Sequence, residues 1–204
     1  MPSVAELWIR RLHMYIGLYF LFFLWLFCLS GIVLNHPKWT FAEFWNERRQ
    51  TSREVQISRP ADTEDLAICR SLLEQTGIRG EISGNINRTA PGVISFRVVR
   101  PGDIYDIKAD LDSRQARIDQ IHVNGWGVMN MLHSFSGVRR GDPTLHQNWW
   151  ATGIWRFSMD ALSVGMVITV LGGIYLWFIQ IRKRFWGAVA LLLGIATLGL
   201  FLVA

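Results

Sequence analysis

The chain alternates between long uninterrupted apolar runs and a short region of mixed period. Met14 to Leu34 holds 21 residues without a formal charge. At about 1.5 Å per helical residue it reaches ~31 Å, enough to cross a hydrocarbon core of ~30 Å. It is too long for the apolar core of a signal peptide, and no small-residue cleavage motif follows, so it is expected to be retained. Ala161 to Ile179 adds 19 uncharged residues and Gly187 to Ala204 a further 18. The pattern therefore predicts three transmembrane helices. Pro37 should end the first at or before His36, because proline disfavours helical geometry in its predecessor.

Between the first two spans the period changes twice. Leu66, Cys69, Leu72 and Leu73 recur at helical spacing behind the carboxylates of Asp62, Glu64 and Asp65, and Gly77 supplies a stop. This predicts one helix over about 63–76. Residues 81–86, 93–99, 104–109 and 116–121 then read as short strands, punctuated by Pro91-Gly92, Pro101-Gly102-Asp103 and Asp112-Ser113. The expected unit is a helix packed on a four-strand antiparallel meander of about 60 residues, small enough to need support from the membrane part. Residues 37–61 read as a short exposed helix near Glu47–Gln50 followed by a linker. Trp126 to Gly137 reads as a helix lying on the membrane interface, too short to span, with an aromatic loop after it.

The expected fold class is thus an α+β membrane protein: three transmembrane helices with a small helix-plus-antiparallel-sheet domain between the first and second. Its parts are the first helix (1–36, span 14–34), the linker (37–61), the domain (62–122), the interfacial helix and aromatic loop (123–158), the second helix (159–180), and a basic turn with the third helix (181–204).

Charge sets the direction. Arg10-Arg11 precede the first span and Arg182-Lys183-Arg184 follow the second. Both clusters should stay in the cytoplasm, which puts the N-terminus there and the domain on the outer side. The net charge of +5 is dispersed rather than packed into one run, so nucleic acid is not an expected partner; the lipid bilayer is. The two cysteines, Cys28 and Cys69, form no CxxC or CxxCH motif, which excludes covalent haem and a thiolate zinc cage. No GxSxG, HExxH, phosphate loop or dinucleotide fingerprint is present. No catalytic residue is assigned, and a non-enzymatic role is favoured.

Leu12-His13-Met14-Tyr15-Ile16-Gly17-Leu18, with Leu29-Ser30-Gly31 at the far end of the same helix, resembles the opening LH-x-x-x-G-L helix of the PepSY-associated transmembrane family, and Met131-Leu132-His133-Ser134-Phe135-Ser136-Gly137 resembles that family's recurring LH-x-x-x-G segment. The helix-then-strands unit of residues 62–121 is similar to a PepSY module. The resemblance implies an inner-membrane protein with a periplasmic PepSY-like domain. Larger relatives include reductases of siderophore-bound iron that hold b-type haem between helix histidines, and soluble PepSY modules are linked to protease inhibition.

A non-covalent haem needs axial imidazoles that face each other across the ring. His13 and His36 lie ~34 Å apart on one helix and cannot share one. His13 has no histidine companion on its own side. On the outer side, His133, His36 and His146 are the candidate ligands of haem b or a metal ion, any two of which could act together. The expected function is an accessory or scaffolding subunit working with other integral membrane subunits of a larger inner-membrane assembly, an electron-transfer one among the assemblies considered. Single-haem electron transfer is the alternative, and a protease-inhibitor-like module the third reading.

Overall fold

The structure, a computed structural model, describes residues 3–135, 147–179 and 184–203. The chain forms two compact units, Trp25–Ser158 and Met1–Leu24 with Met159–Ala204.

The first of these units is built on a five-stranded sheet. Its strands are β1 (Arg49–Gln56), β2 (Glu81–Ala90), β3 (Val93–Arg100), β4 (Asp103–Asp110) and β5 (Gln115–His122). Their order is β1-β5-β4-β3-β2, with every pair antiparallel. Period-two alternation decides which face is buried: Ile94, Phe96 and Val98 point inward on β3, as do Tyr105, Ile107 and Ala109 on β4. Helix α3 (Asp65–Thr76) covers that face with Ile68, Cys69, Leu72 and Leu73. Gly77 ends α3 in the left-handed conformation at φ 68°, which a side chain would strain. The helix and four of the strands lie where the sequence pattern predicts them.

The fifth strand does not. The segment expected to be a short helix and linker holds a 3-10 turn at Thr40–Ala42 and then β1, paired along its whole length with β5. All but one residue of β1 are exposed, so it carries no buried-face alternation that the sequence could reveal. Backbone pairing to β5 alone makes it a strand.

The same unit contains most of α2 (Leu21–Asn35) and the short helix α4 (Gly125–Ser134). Asn124 caps α4, its side chain accepting from the Gly127 amide at 3.2 Å. Met129 packs with Val33 and Ala42, so α4 lies against α2 rather than standing free.

The second unit holds α1 (Val4–Tyr19), most of α5 (Trp150–Ile179) and α6 (Arg184–Val203). Gly165 of α5 opens space for Phe20 and Ile16, and Gly172 for Ile9. The small residues let α1 approach closely. The three expected spans take different forms. Among the described residues one helix, α5, is by itself long and apolar enough to cross a membrane. The first expected span is a pair, α1 and α2, bent by 60° at Phe20, where the Phe20 ring seats against Gly165. The third, α6, carries a shorter apolar stretch, Arg184–Leu200. Helix α5 also begins well before Ala161, at Trp150, since Arg156 and Asp160 interrupt the uncharged run without interrupting the helix.

Candidate functional site

Ser30 is buried in α2, and its hydroxyl lies 2.6 Å from the Leu26 carbonyl, 3.2 Å from the Phe27 carbonyl and 2.6 Å from Nδ1 of His133. A hydroxyl has one proton and carbonyls only accept. The proton therefore goes to the backbone, and Ser30 accepts from Nδ1–H of His133. That fixes the neutral ring as the Nδ1-protonated tautomer and leaves Nε2 with its lone pair. An oriented imidazole of this kind is what a metal or haem iron binds. Phe27 flanks the ring with centroids 5.2 Å apart. The Trp155 ring lies 6.4 Å from that of Phe27, centroid to centroid, and donates its indole N–H to the Phe135 carbonyl at 2.9 Å.

His36 is held similarly but in the open. Its Nδ1–H donates to the Ile32 carbonyl at 2.9 Å, and its ring stacks on Trp39 with centroids 4.3 Å apart. It too presents Nε2. His36 follows Ser30 by six residues, ~9 Å along a helix axis. Among the described residues no hydrogen bond or ring contact joins His36 to His133. The third candidate, His146, lies outside the described residues. His13 is exposed on α1, with no hydrogen-bond partner among the described residues. Among those residues no group of three or more His, Cys, Asp or Glu is placed to hold a metal ion. His133 thus presents an oriented imidazole beside Phe27, and His36 a second one in the open. Cys28 and Cys69 are not joined to each other.

Two buried carboxylates at the same end of the sheet complete the polar architecture. Glu81, the first residue of β2, is 3% exposed. It accepts from the Asn148 amide at 2.9 Å, the Asn148 side chain at 3.2 Å and the Thr152 hydroxyl at 3.0 Å. Arg70 of α3 in turn donates to Asn148 at 2.6 Å. Glu81 therefore ties the segment that leads into α5, and Thr152 in the first turn of that helix, to the edge of the sheet. Burial raises its pKa, and the bonds from Asn148, Thr152 and Trp149 only partly offset this.

Asp103 opens β4 and is almost as buried. It pairs with Arg100 at 2.6 Å and accepts from Nδ1–H of His122 at 2.9 Å and from Gln120 at 2.8 Å. Burial alone would raise its pKa, but these partners together outweigh it and hold the carboxyl below its ordinary range.

Sequence reasoning singled out His133 and His36 but not the groups that position them. Ser30 reads as a small packing residue, and its role depends on a helix a hundred residues away. Asp103 has a legible signal, since it falls in phase with Tyr105, Ile107 and Ala109 on the buried face of β4. Glu81 has none, because its partners come from a segment distant in the chain.

No curated protein and no solved structure matches the chain. The comparison with protein families matches residues 7–204 to PepSY_TM-like proteins. With nearly its whole length matched, the chain belongs to the PepSY_TM-like family.

Proposed function

We propose that the protein is a membrane-anchored accessory or scaffolding subunit of a larger inner-membrane assembly, one engaged in electron transfer. The observation that carries this reading is the uncovered apolar surface of α5 and α6. Almost none of the membrane-crossing stretch of α5 is buried by its own chain. Gly173, Gly194 and Gly199 have nothing within 4 Å of where a side chain would begin. Exposed small residues on apolar helices favour close approach of further helices. In this reading the α1–α2 pair and α6 also enter the bilayer, giving three crossings. Arg10-Arg11 keep the N-terminus cytoplasmic, and the sheet domain is periplasmic.

Photo-crosslinking from positions 173 and 194 in native membranes tests the scaffold. A discrete adduct with another integral membrane protein is expected. Adducts confined to lipid and to the chain itself would overturn it.

A second reading is favoured by the orientation of His133. With Nδ1 committed to Ser30, Nε2 could ligate the iron of a b-type haem, which would supply one-electron chemistry. The chain's own part would be to orient the imidazole through Ser30 and exclude water with Phe27 and Trp155. The second ligand would come from His36, His146 or a partner. The purified protein, expressed with ample haem and reduced with dithionite, should then give a sharp α-band that His133→Ala abolishes and His13→Ala retains. No band in the parent protein would remove this reading.

A further inference from the structure

One end of the sheet connects to every apolar element of its unit. Residues 36–48 lead from α2 into β1, Val123 and Asn124 lead from β5 into α4, and Glu81 holds the first turn of α5. Helix α4 runs from that sheet end, where Val128 packs at Gly102, to His133 on Ser30 of α2. The distance covered from Gly125 to His133 is ~12 Å. The sheet end therefore stands about one headgroup layer from the outer end of an apolar helix.

Strand register places a row of charge across this end: Arg49 opposite His122, His122 opposite Asp103, and Asp103 opposite Arg100. Arg53 lies on the same face of β1, two alternations further in. Asp103 is fully occupied by Arg100, His122 and Gln120. Nearby, Glu43 takes the amides of Trp45 and Asn46, and Glu47 takes Asn124. Arg49 and Arg53 are exposed and have neither ion pair nor hydrogen bond through their side chains among the described residues. Just before them, Arg48 lies over the Trp45 ring at 4.6 Å and donates to the Trp45 carbonyl, while its buried Nε has no partner. Trp39, Phe41 and Trp45, all exposed, line the same connection. Aromatic rings beside unpaired guanidinium groups, at the outer end of an apolar helix, match the headgroup layer of a bilayer.

We propose that Arg48, Arg49 and Arg53 bind the phosphates of anionic phospholipid headgroups, docking this end of the sheet on the membrane surface. Guanidinium groups take phosphate oxygens in pairs, and stacking on Trp45 holds Arg48 ready to do so. The inference rests on the membrane reading above and goes beyond it by naming the lipid chemistry and the residues.

The test uses the full chain in phosphatidylcholine bilayers carrying spin-labelled phosphatidylglycerol or spin-labelled phosphatidylcholine, with motionally restricted label as the readout. Incorporation into phosphatidylcholine alone checks the membrane reading separately. The expected result is a severalfold preference for the glycerol headgroup that falls with added salt. Arg49→Gln with Arg53→Gln should remove most of it. Arg97→Gln with Arg117→Gln, an equal loss of charge elsewhere on the sheet, should leave it in place. No preference in the parent chain, a preference unchanged in the first double variant, or an equal loss in the second would each overturn the proposal. If the first double variant loses its fold, Arg49→Gln alone, at an exposed edge position, carries the same test with a partial loss expected.

Discussion

The Thr152 hydroxyl donates to Glu81 Oε2 at 3.0 Å, and both residues are buried. This bond ties the first residue of an edge strand to the first turn of the 30-residue helix α5. The tie is made by a residue 71 positions upstream of the helix residue it holds. Glu81→Ala would leave the Asn148 amide and the Thr152 hydroxyl buried without an acceptor. A loss of about 1–3 kcal/mol in domain stability is expected, read by thermal or chemical unfolding. A change within error would mean that α5 begins independently of the sheet.

The same carboxylate gives a pH dependence with a definite sign. Its pKa is raised in the folded protein above the ordinary 4.5. The stabilisation is therefore complete below 4.5 and is lost as pH rises through the raised value. Measured against Glu81→Gln, the native protein should gain stability as pH falls from neutral toward that range. A flat difference, or the opposite slope, would contradict the burial argument.

Asp103 should behave in the reverse sense. Its partners Arg100, His122 and Gln120 hold the folded pKa below 3.8. Its contribution is present above 3.8 and lost as pH falls through the lowered value. Asp103→Asn should destabilise the domain by about 1–3 kcal/mol at neutral pH and by less in acid, since it leaves Arg100 half-exposed without its carboxylate. Equal effects at both pH values would assign Asp103 a packing role only.

These two groups also mark how far the sequence could be read. Helix α3 and strands β2 to β5 are legible because their apolar residues keep one face buried, at periods of 3.6 and 2. Strand β1 is not, since an exposed edge strand is held by backbone bonds that no side-chain pattern reports. The apolar runs are legible as helices, and that of α5 as one long enough to cross a membrane, but the bend at Phe20 lies where its ring meets Gly165, a tertiary contact. At the candidate site, the histidines stood out by residue type. Ser30 and Glu81 did not, because each acts on a residue that only folding brings near.

Ser30 offers a test of the imidazole site that needs no cofactor. Ser30→Ala removes the acceptor of His133 Nδ1–H and the only hydrogen bond that a side chain of α2 makes to α4 among the described residues. The ring should then lose its single tautomer, visible as a change in the two His133 nitrogen-15 shifts. Stability should fall by about 1 kcal/mol. Ser30→Thr keeps a hydroxyl and should retain the Nδ1–H signature if the extra methyl is accommodated. An unchanged His133 spectrum in Ser30→Ala would show that the imidazole is oriented by something other than Ser30.

The contact between Gly165 and Phe20 gives a prediction for the second unit. A methyl added at Gly165 would lie 2.6 Å from Phe20 Cε2 and 3.3 Å from Ile16, inside van der Waals contact. Phe20 is buried, so its ring cannot swing into open space. Overpacking of this kind costs about 1–3 kcal/mol, and it should act on the approach of α1 to α5 rather than on the sheet domain. Gly165→Ala should therefore lower the unfolding temperature in detergent, and Gly165→Leu should lower it further. Gly173→Ala, where nothing lies within 4 Å, should have little effect. Combining Gly165→Ala with Phe20→Leu should recover part of the loss, because a smaller side chain yields the space the methyl needs. If Gly165→Ala proved neutral while Gly173→Ala did not, the seam between α1 and α5 would be on the other face of the helix.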